Sequence, residues 1–146
     1  IATGCTAEPH VQVLERGVLL QTTASAVSGQ VPVVVTNPGV LEVELLEYHY
    51  HVTNSNGSNW SGRHAGDLVL SPGLDRKASL PVVVLAPAGG WPDGAAPGSV
   101  SCRISGSLIY IGNGTFDDSL AELGYRPATS FSGTFNLVPA QAAQTD

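Results

Sequence analysis

The chain has 146 residues and a net charge of −6, from six Lys and Arg against twelve Asp and Glu. That is long enough for one domain with its own core, and it lacks the basic face that neutralises phosphates, so nucleic acid is not an expected partner. Seventeen glycines, ten prolines and only 6% aromatic residues favour many short strands joined by turns over a helical bundle.

Residues Ile1–Glu8 read as a leader or tether, 9–138 as the folded domain and 139–146 as a frayed tail. Ala2-Thr3-Gly4-Cys5 matches the end of a bacterial lipobox, in which small residues precede a cysteine that is lipidated. Cys5 is therefore a lipidation candidate, with a free thiol and a disulfide to Cys102 as the alternatives. Strands are expected from His10 to about Glu15 and from Gly17 to Ala24. The run Val31–Val35 is β-branched and almost wholly apolar, the composition of a well-covered strand. It ends at Asn37-Pro38-Gly39, where Pro38 biases Asn37 towards extended angles and Gly39 is free to take positive φ. Leu41–Val52 follows, with Leu46, Tyr48, Tyr50 and Val52 on one face and Glu47, His49 and His51 on the other.

Asn56-Gly57 is a hairpin signal, so a short strand over Trp60–Ala65 should pair with the tyrosine strand, with Leu68–Gly73 as a linker. Ala78–Leu85 is the next strand, and Pro81 marks it as an edge or a bulge. Pro87–Gly98 carries too much glycine and proline for a regular element and reads as a long loop that Trp91 could anchor. In Val100–Ile111 the apolar parity passes from Val100, Cys102 and Ile104 to Ile109 and Ile111, which suggests a bulge at Gly106. Asp117–Gly124 suggests one helical turn, and Phe131–Val138 the last strand. The expected core is Val33, Val35, Leu46, Tyr48, Val52, Val82, Val84, Cys102, Ile104, Leu108, Phe131, Phe135 and Leu137. Seven or eight strands with hairpin turns and no alternating helices imply an antiparallel β-sandwich of the immunoglobulin or fibronectin III kind.

Catalytic signatures are absent. There is no G-x-S-x-G elbow, and a blue-copper site would want a histidine after Cys102 and an axial methionine, neither of which the chain has. Glu47, His49 and His51 could face one cation, but an exposed strand carries such residues for solubility, and no third histidine is placed beside them, so no metal and no cofactor are expected. Asp117-Asp118 lacks the ligand spacing of a calcium loop. The Asn-x-Ser/Thr triplets at Asn56, Asn59 and Asn113 serve as turn markers.

The order PHVQVLERGVLL, VPVVVTNPG, VELLEYHYHV, SGRHAG and ASLPVVVL resembles the water stress and hypersensitive response domain of the folded, atypical late embryogenesis abundant proteins. The resemblance spans about Pro9 to Val138 and rests on Asn37, Pro38, Tyr48 (or Tyr50) and Gly66 as the family's fold motif. Gly39 departs from the usual Asn-Pro-Asn, and the Pro87–Gly98 loop stands where relatives often have a helix. The resemblance implies an immunoglobulin-like sandwich, no enzymatic reaction, and a part in tolerance of drying, cold or freezing through weak, non-specific contacts with client proteins. It also implies a place at a bacterial envelope, reaching the membrane only through a lipid on Cys5, or in the cytoplasm if no signal peptide precedes the chain. A monomer is expected. The alternative expectation is an envelope interaction module, adhesin-like or carbohydrate-binding, using Trp60 and Trp91 as aromatic platforms.

Overall fold

Val31, Val33 and Val35 are at most 1% exposed, while Pro32 and Val34 between them stay half covered. Their strand is the long central member of one layer in this computed structural model, which describes residues 8–54, 57–91, 98–112, 122–124 and 126–139. Eight strands follow in chain order: β1 His10–Val13, β2 Arg16–Thr22, β3 Ala26–Thr36, β4 Val43–Asn54, β5 Asn59–Leu70, β6 Asp75–Leu85, β7 Val100–Gly112 and β8 Ala128–Pro139.

The protein is an all-β sandwich. β3 pairs antiparallel with β6 along one edge, and with β1 and then β2 along the other. The second layer runs β8-β7-β4-β5, again antiparallel. β2 joins the layers, because it pairs antiparallel with β3 and parallel with β8. That parallel pair is the one departure from the antiparallel expectation among the described strands. Pro32 is accommodated where β3 changes partner from β1 to β2, and its carbonyl there accepts the Leu14 N–H at 3.0 Å.

The core joins the valines of β3 and Leu80, Val82 and Val84 of β6 to Tyr48, Tyr50, Val52, Ile104, Leu108, Phe135 and Leu137 of the other layer. Tyr48 meets the Phe131 ring edge-on, centroids 6.4 Å apart at 80°, a favoured aromatic geometry. Tyr50 donates its hydroxyl to the Pro81 carbonyl, tying β4 to β6 across the sandwich. Pro81 thus sits on a strand that pairs with β3 alone, in unbroken register, so it marks an edge and no bulge.

Three expectations are corrected. Leu46 is half-buried and Leu45, 1% exposed, takes its place in the core, because β4 bulges between Leu45 and Glu47 against both neighbours. Gly106 carries no bulge: the β7–β8 register runs unbroken from Val100 to Ile109, and Leu108 and Tyr110 continue the buried face. Its glycine is needed because a Cβ there would lie 2.3 Å from the His49 carbonyl oxygen. The Leu68–Gly73 linker is in part strand, since β5 continues to Leu70 before the Ser71–Leu74 turn, where Gly73 takes φ +75°.

Asp117–Gly124, with its expected helical turn, lies outside the described residues except for 122–124, as do Cys5 and residues 92–97 of the Pro87–Gly98 loop. Trp91 is 7% exposed and donates its indole N–H to the Thr23 carbonyl at 2.8 Å, pinning the start of that loop to the β2–β3 turn.

Burial pushes Tyr48 and Tyr50 from 10.0 to about 12, and the Cys102 thiol from 9.0 to about 11, by penalising the charged form. The folded state therefore holds these protons to higher pH than the unfolded state. The stability they contribute is full below about pH 9 and is lost as pH rises from there to about 12. The urea midpoint should stay level up to pH 9 and then fall by the equivalent of several kcal/mol by pH 12, because each tenfold difference in a group's acidity between the folded and unfolded states is worth about 1.4 kcal/mol. A level midpoint through pH 12 would show that these groups ionise freely in the fold.

Candidate functional site

Asn37 has no exposed surface. Its side-chain amide donates to the Leu41 carbonyl at 2.8 Å and the Leu70 carbonyl at 3.0 Å, and its Oδ1 accepts the Gly39 N–H at 3.0 Å. The main chain adds two bonds to the β5–β6 turn, from the Asn37 N–H to the Leu74 carbonyl and from the Gly73 N–H to the Asn37 carbonyl. Gly39 does not adopt the positive φ expected of it. The corner is built instead by the Asn37 side chain acting as a surrogate backbone. Pro38 is exposed beside it.

Gly66 sits in the β5 half of the bulge, where a Cβ would come within 2.7 Å of the Leu45 carbonyl oxygen. Its neighbour Asp67 takes φ +47°, a left-handed conformation that Asp tolerates better than most residues. Asn37 and Gly66 therefore lie towards the same end of the β4–β5 pair, where Val43 meets Leu70, and Tyr48 lies in the core beside it. Asn37 and Gly66 act through backbone contacts and Tyr48 through core packing, with the His64 ring 6.1 Å from that of Tyr48.

The outer face of β5-β4-β7-β8 gathers the polar side chains. One row across the strands is Ser61–His51–Ser105–Ser132, and the next is Arg63–His49–Ser107–Ser130. Between them runs Gly62–Tyr50–Gly106–Phe131, whose side chains, where present, turn inward. The outer face along this line is bare backbone. It forms the floor of a shallow depression of about 540 Å³ over β5, β4 and β7, which meets a second of about 590 Å³ at Ser105 and Gly106 and so continues over β8.

His49 Nε2 is hydrogen-bonded to Glu47 Oε1. That bond holds the Glu47 carboxyl below the usual carboxylate range against an opposing desolvation, and the charges of His49 and Arg63 act in the same direction as the bond. His51 contacts Ser61 Oγ through Nδ1 at 2.9 Å and Asn59 Oδ1 through Nε2 at 3.1 Å. The two imidazoles thus have separate partners, and among the described residues no three His, Cys, Asp or Glu side chains converge as metal ligands. Cys102 is a buried free thiol with β7 neighbours Val100 and Ile104 in the core.

Neither tryptophan offers a flat platform. Trp91 is buried, and Trp60 lies half-buried against Tyr50, ring centroids 6.0 Å apart, with its ring over Gly62. The tryptophan-based carbohydrate reading therefore loses Trp91 and keeps only the half-exposed ring of Trp60. The cross-strand rows could not be read from the sequence, although Ser105-Gly106-Ser107 and Ser130-Phe131-Ser132 carry the alternation from which they are built.

No family model matches the chain, and no curated protein matches it. Solved structures do share its fold. A protein of Bordetella pertussis provisionally named ApaA superposes with a TM-score of 0.55 at 16% identity, covering 92% of this chain and 95% of that one. A structural-genomics target of the Northeast consortium gives 0.53 at 13% identity, over 92% and 85% of the two chains. The solution structure of a protein provisionally named as late embryogenesis abundant gives 0.50 at 15% identity, over 92% and 74%. At these identities the likeness is one of fold alone.

Proposed function

We propose that the chain is a non-catalytic stress-protection protein of the water stress and hypersensitive response kind, shielding client proteins or envelope surfaces during drying, cold or freezing. The observation that carries this reading is the outer face of β5-β4-β7-β8, where hydroxyl, imidazole and amide groups form rows with little charge. Such a surface offers many weak hydrogen bonds where water is scarce, because hydroxyls both donate and accept. The sandwich shared with a protein provisionally named as late embryogenesis abundant supports it, as does the motif order around Asn37-Pro38. In this reading Cys5 carries the lipid that holds the domain at a bacterial envelope, which the mass of the native N-terminal peptide decides.

The test is protection of a freeze-sensitive enzyme through freeze–thaw, compared with an equal mass of an unrelated folded protein. Activity should survive better than in that control, and single substitutions of Glu47, His49, His51 or Trp91 that leave the fold intact should not abolish the effect. Protection no better than the control removes the hypothesis. Loss on changing only His49 and His51, with metal-dependent protection by the parent, would point to a cation instead.

A further inference from the structure

The trench between the two polar rows crosses four strands, and three interstrand spacings of about 4.8 Å make it roughly 14 Å long. Residues two apart on a strand set the rows about 7 Å apart. That width admits a single extended chain and excludes an α-helix, whose diameter is about 10–12 Å. A peptide strand gains little there, because the sheet's own N–H and C=O groups along the floor are spent on β4, β5, β7 and β8. Nucleic acid lacks what it needs, since no Phe, Tyr or Trp side chain among the described residues is exposed for stacking.

The chemistry of the walls narrows the occupant further. Hydroxyls dominate, and a hydroxyl matches a sugar hydroxyl in both roles. Arg63 closes one end, and Arg103 stands on the same face in the Asn59–Thr53–Arg103–Thr134 row beyond Ser61 and Ser105. Neither guanidinium is in a close salt bridge among the described residues, although the Arg63 charge acts on Glu47 in the adjoining row. The two polar rows contain no carboxylate. The nearest acid by register is Glu47, one row outside, and it is bonded to His49. In a chain of net charge −6 the outer face carries Arg63 and Arg103 against Glu44, Glu47 and Asp67, but the three acids all lie on the side of the trench away from Arg103, and the two guanidinium groups flank the trench where they can take planar anions.

We propose that this trench binds an internal stretch of an acidic polysaccharide, with a uronate-type carboxylate against Arg63 and ring hydroxyls along His51, Ser105 and Ser132. The inference stands apart from the protection reading and uses neither tryptophan.

Electrophoresis of the full chain through gels containing polygalacturonate tests it, with neutral dextran gels as reference. Polygalacturonate should retard the protein and dextran should not. Arg63→Ala should weaken the retardation by about tenfold, the scale of losing one charge-assisted contact. Ser105→Phe, an exposed position whose variant can be checked by its urea midpoint, should do the same by filling the trench. Lys77→Ala removes an equal charge from β6 in the other layer and should leave retardation within about twofold; if it matches Arg63→Ala, only net charge is at work and the proposal fails. It also fails if dextran retards equally, if polygalacturonate does not retard, or if the Arg63-dependent binding is to phosphatidylglycerol vesicles instead.

Discussion

Asn37→Leu should lower the unfolding free energy by about 3–5 kcal/mol, since it leaves unpaired two carbonyls and one N–H that the amide now satisfies, at roughly 1–3 kcal/mol for each group that water does not reach. Leu70 is 1% exposed, so its carbonyl has little prospect of hydration, whereas Leu41 is 41% exposed and its carbonyl can recover a water. The expected loss therefore falls below the sum of three full penalties. Leucine is close in size, which isolates the lost hydrogen bonds from any cavity. Asn37→Asp is the companion variant: it keeps the acceptor for the Gly39 N–H but, as a carboxylate, turns both donated bonds into oxygen–oxygen repulsions, and it should be at least as damaging. Urea denaturation of the three proteins decides the matter. An unchanged midpoint for Asn37→Leu would mean that water serves these groups and that the corner is a local turn.

That corner shows what kind of information the sequence carries. Asn-Pro-Gly announces a change of direction, and the valine run before it announces burial, because both depend on neighbours in the chain. The partners of the Asn37 amide do not, since Leu70 is 33 residues away. The same division explains the misplaced bulge. Parity in β4 passes from Val43 and Leu45 to Tyr48, Tyr50 and Val52, but a half-apolar stretch such as Leu45-Leu46-Glu47 permits the slip at either leucine. The pairing with Gly66-Asp67 on one side and Ile109-Tyr110 on the other fixes it at Leu46. In the sequence β5 looks short because Asn59–Asp67 has almost no apolar face. Its outer residues are exposed and its inner ones half-buried, as suits a strand that pairs with β4 alone.

The polar face of the sheet is hidden from sequence reading for a related reason. Each strand shows its serines or histidines at alternate positions, and their exposure follows from the pleat. That His51 falls level with Ser61, Ser105 and Ser132 is a property of three registers at once. Histidines two apart invite a metal reading when seen on one strand. Seen across the sheet, each is engaged by its neighbours, His49 with Glu47 and His51 with Ser61 and Asn59.

Gly106 sits where these registers cross, and Gly106→Val should be as damaging as the Asn37 variants, costing at least about 3 kcal/mol, at or above the top of the usual range for overpacking. A Cβ at this position would lie 2.3 Å from the His49 carbonyl oxygen and 2.8 Å from the Tyr50 Cα. Both are backbone of the adjacent strand, so relief requires β4 and β7 to separate in the middle of a ladder that runs from Val43 to Asn54. Separation would also draw Tyr50 away from the Pro81 carbonyl and loosen the tie between the layers. Because the valine variant is liable not to fold, Gly106→Ala provides the graded measurement and should already lose more than about 1 kcal/mol, the minimum usual for an overpacked site. Gly98→Ala is the control, since nothing lies within 4 Å of its Cβ, and it should leave the urea midpoint nearly unchanged. Equal midpoints for Gly106→Ala and Gly98→Ala would show that β4 and β7 do not approach as closely as their pairing requires.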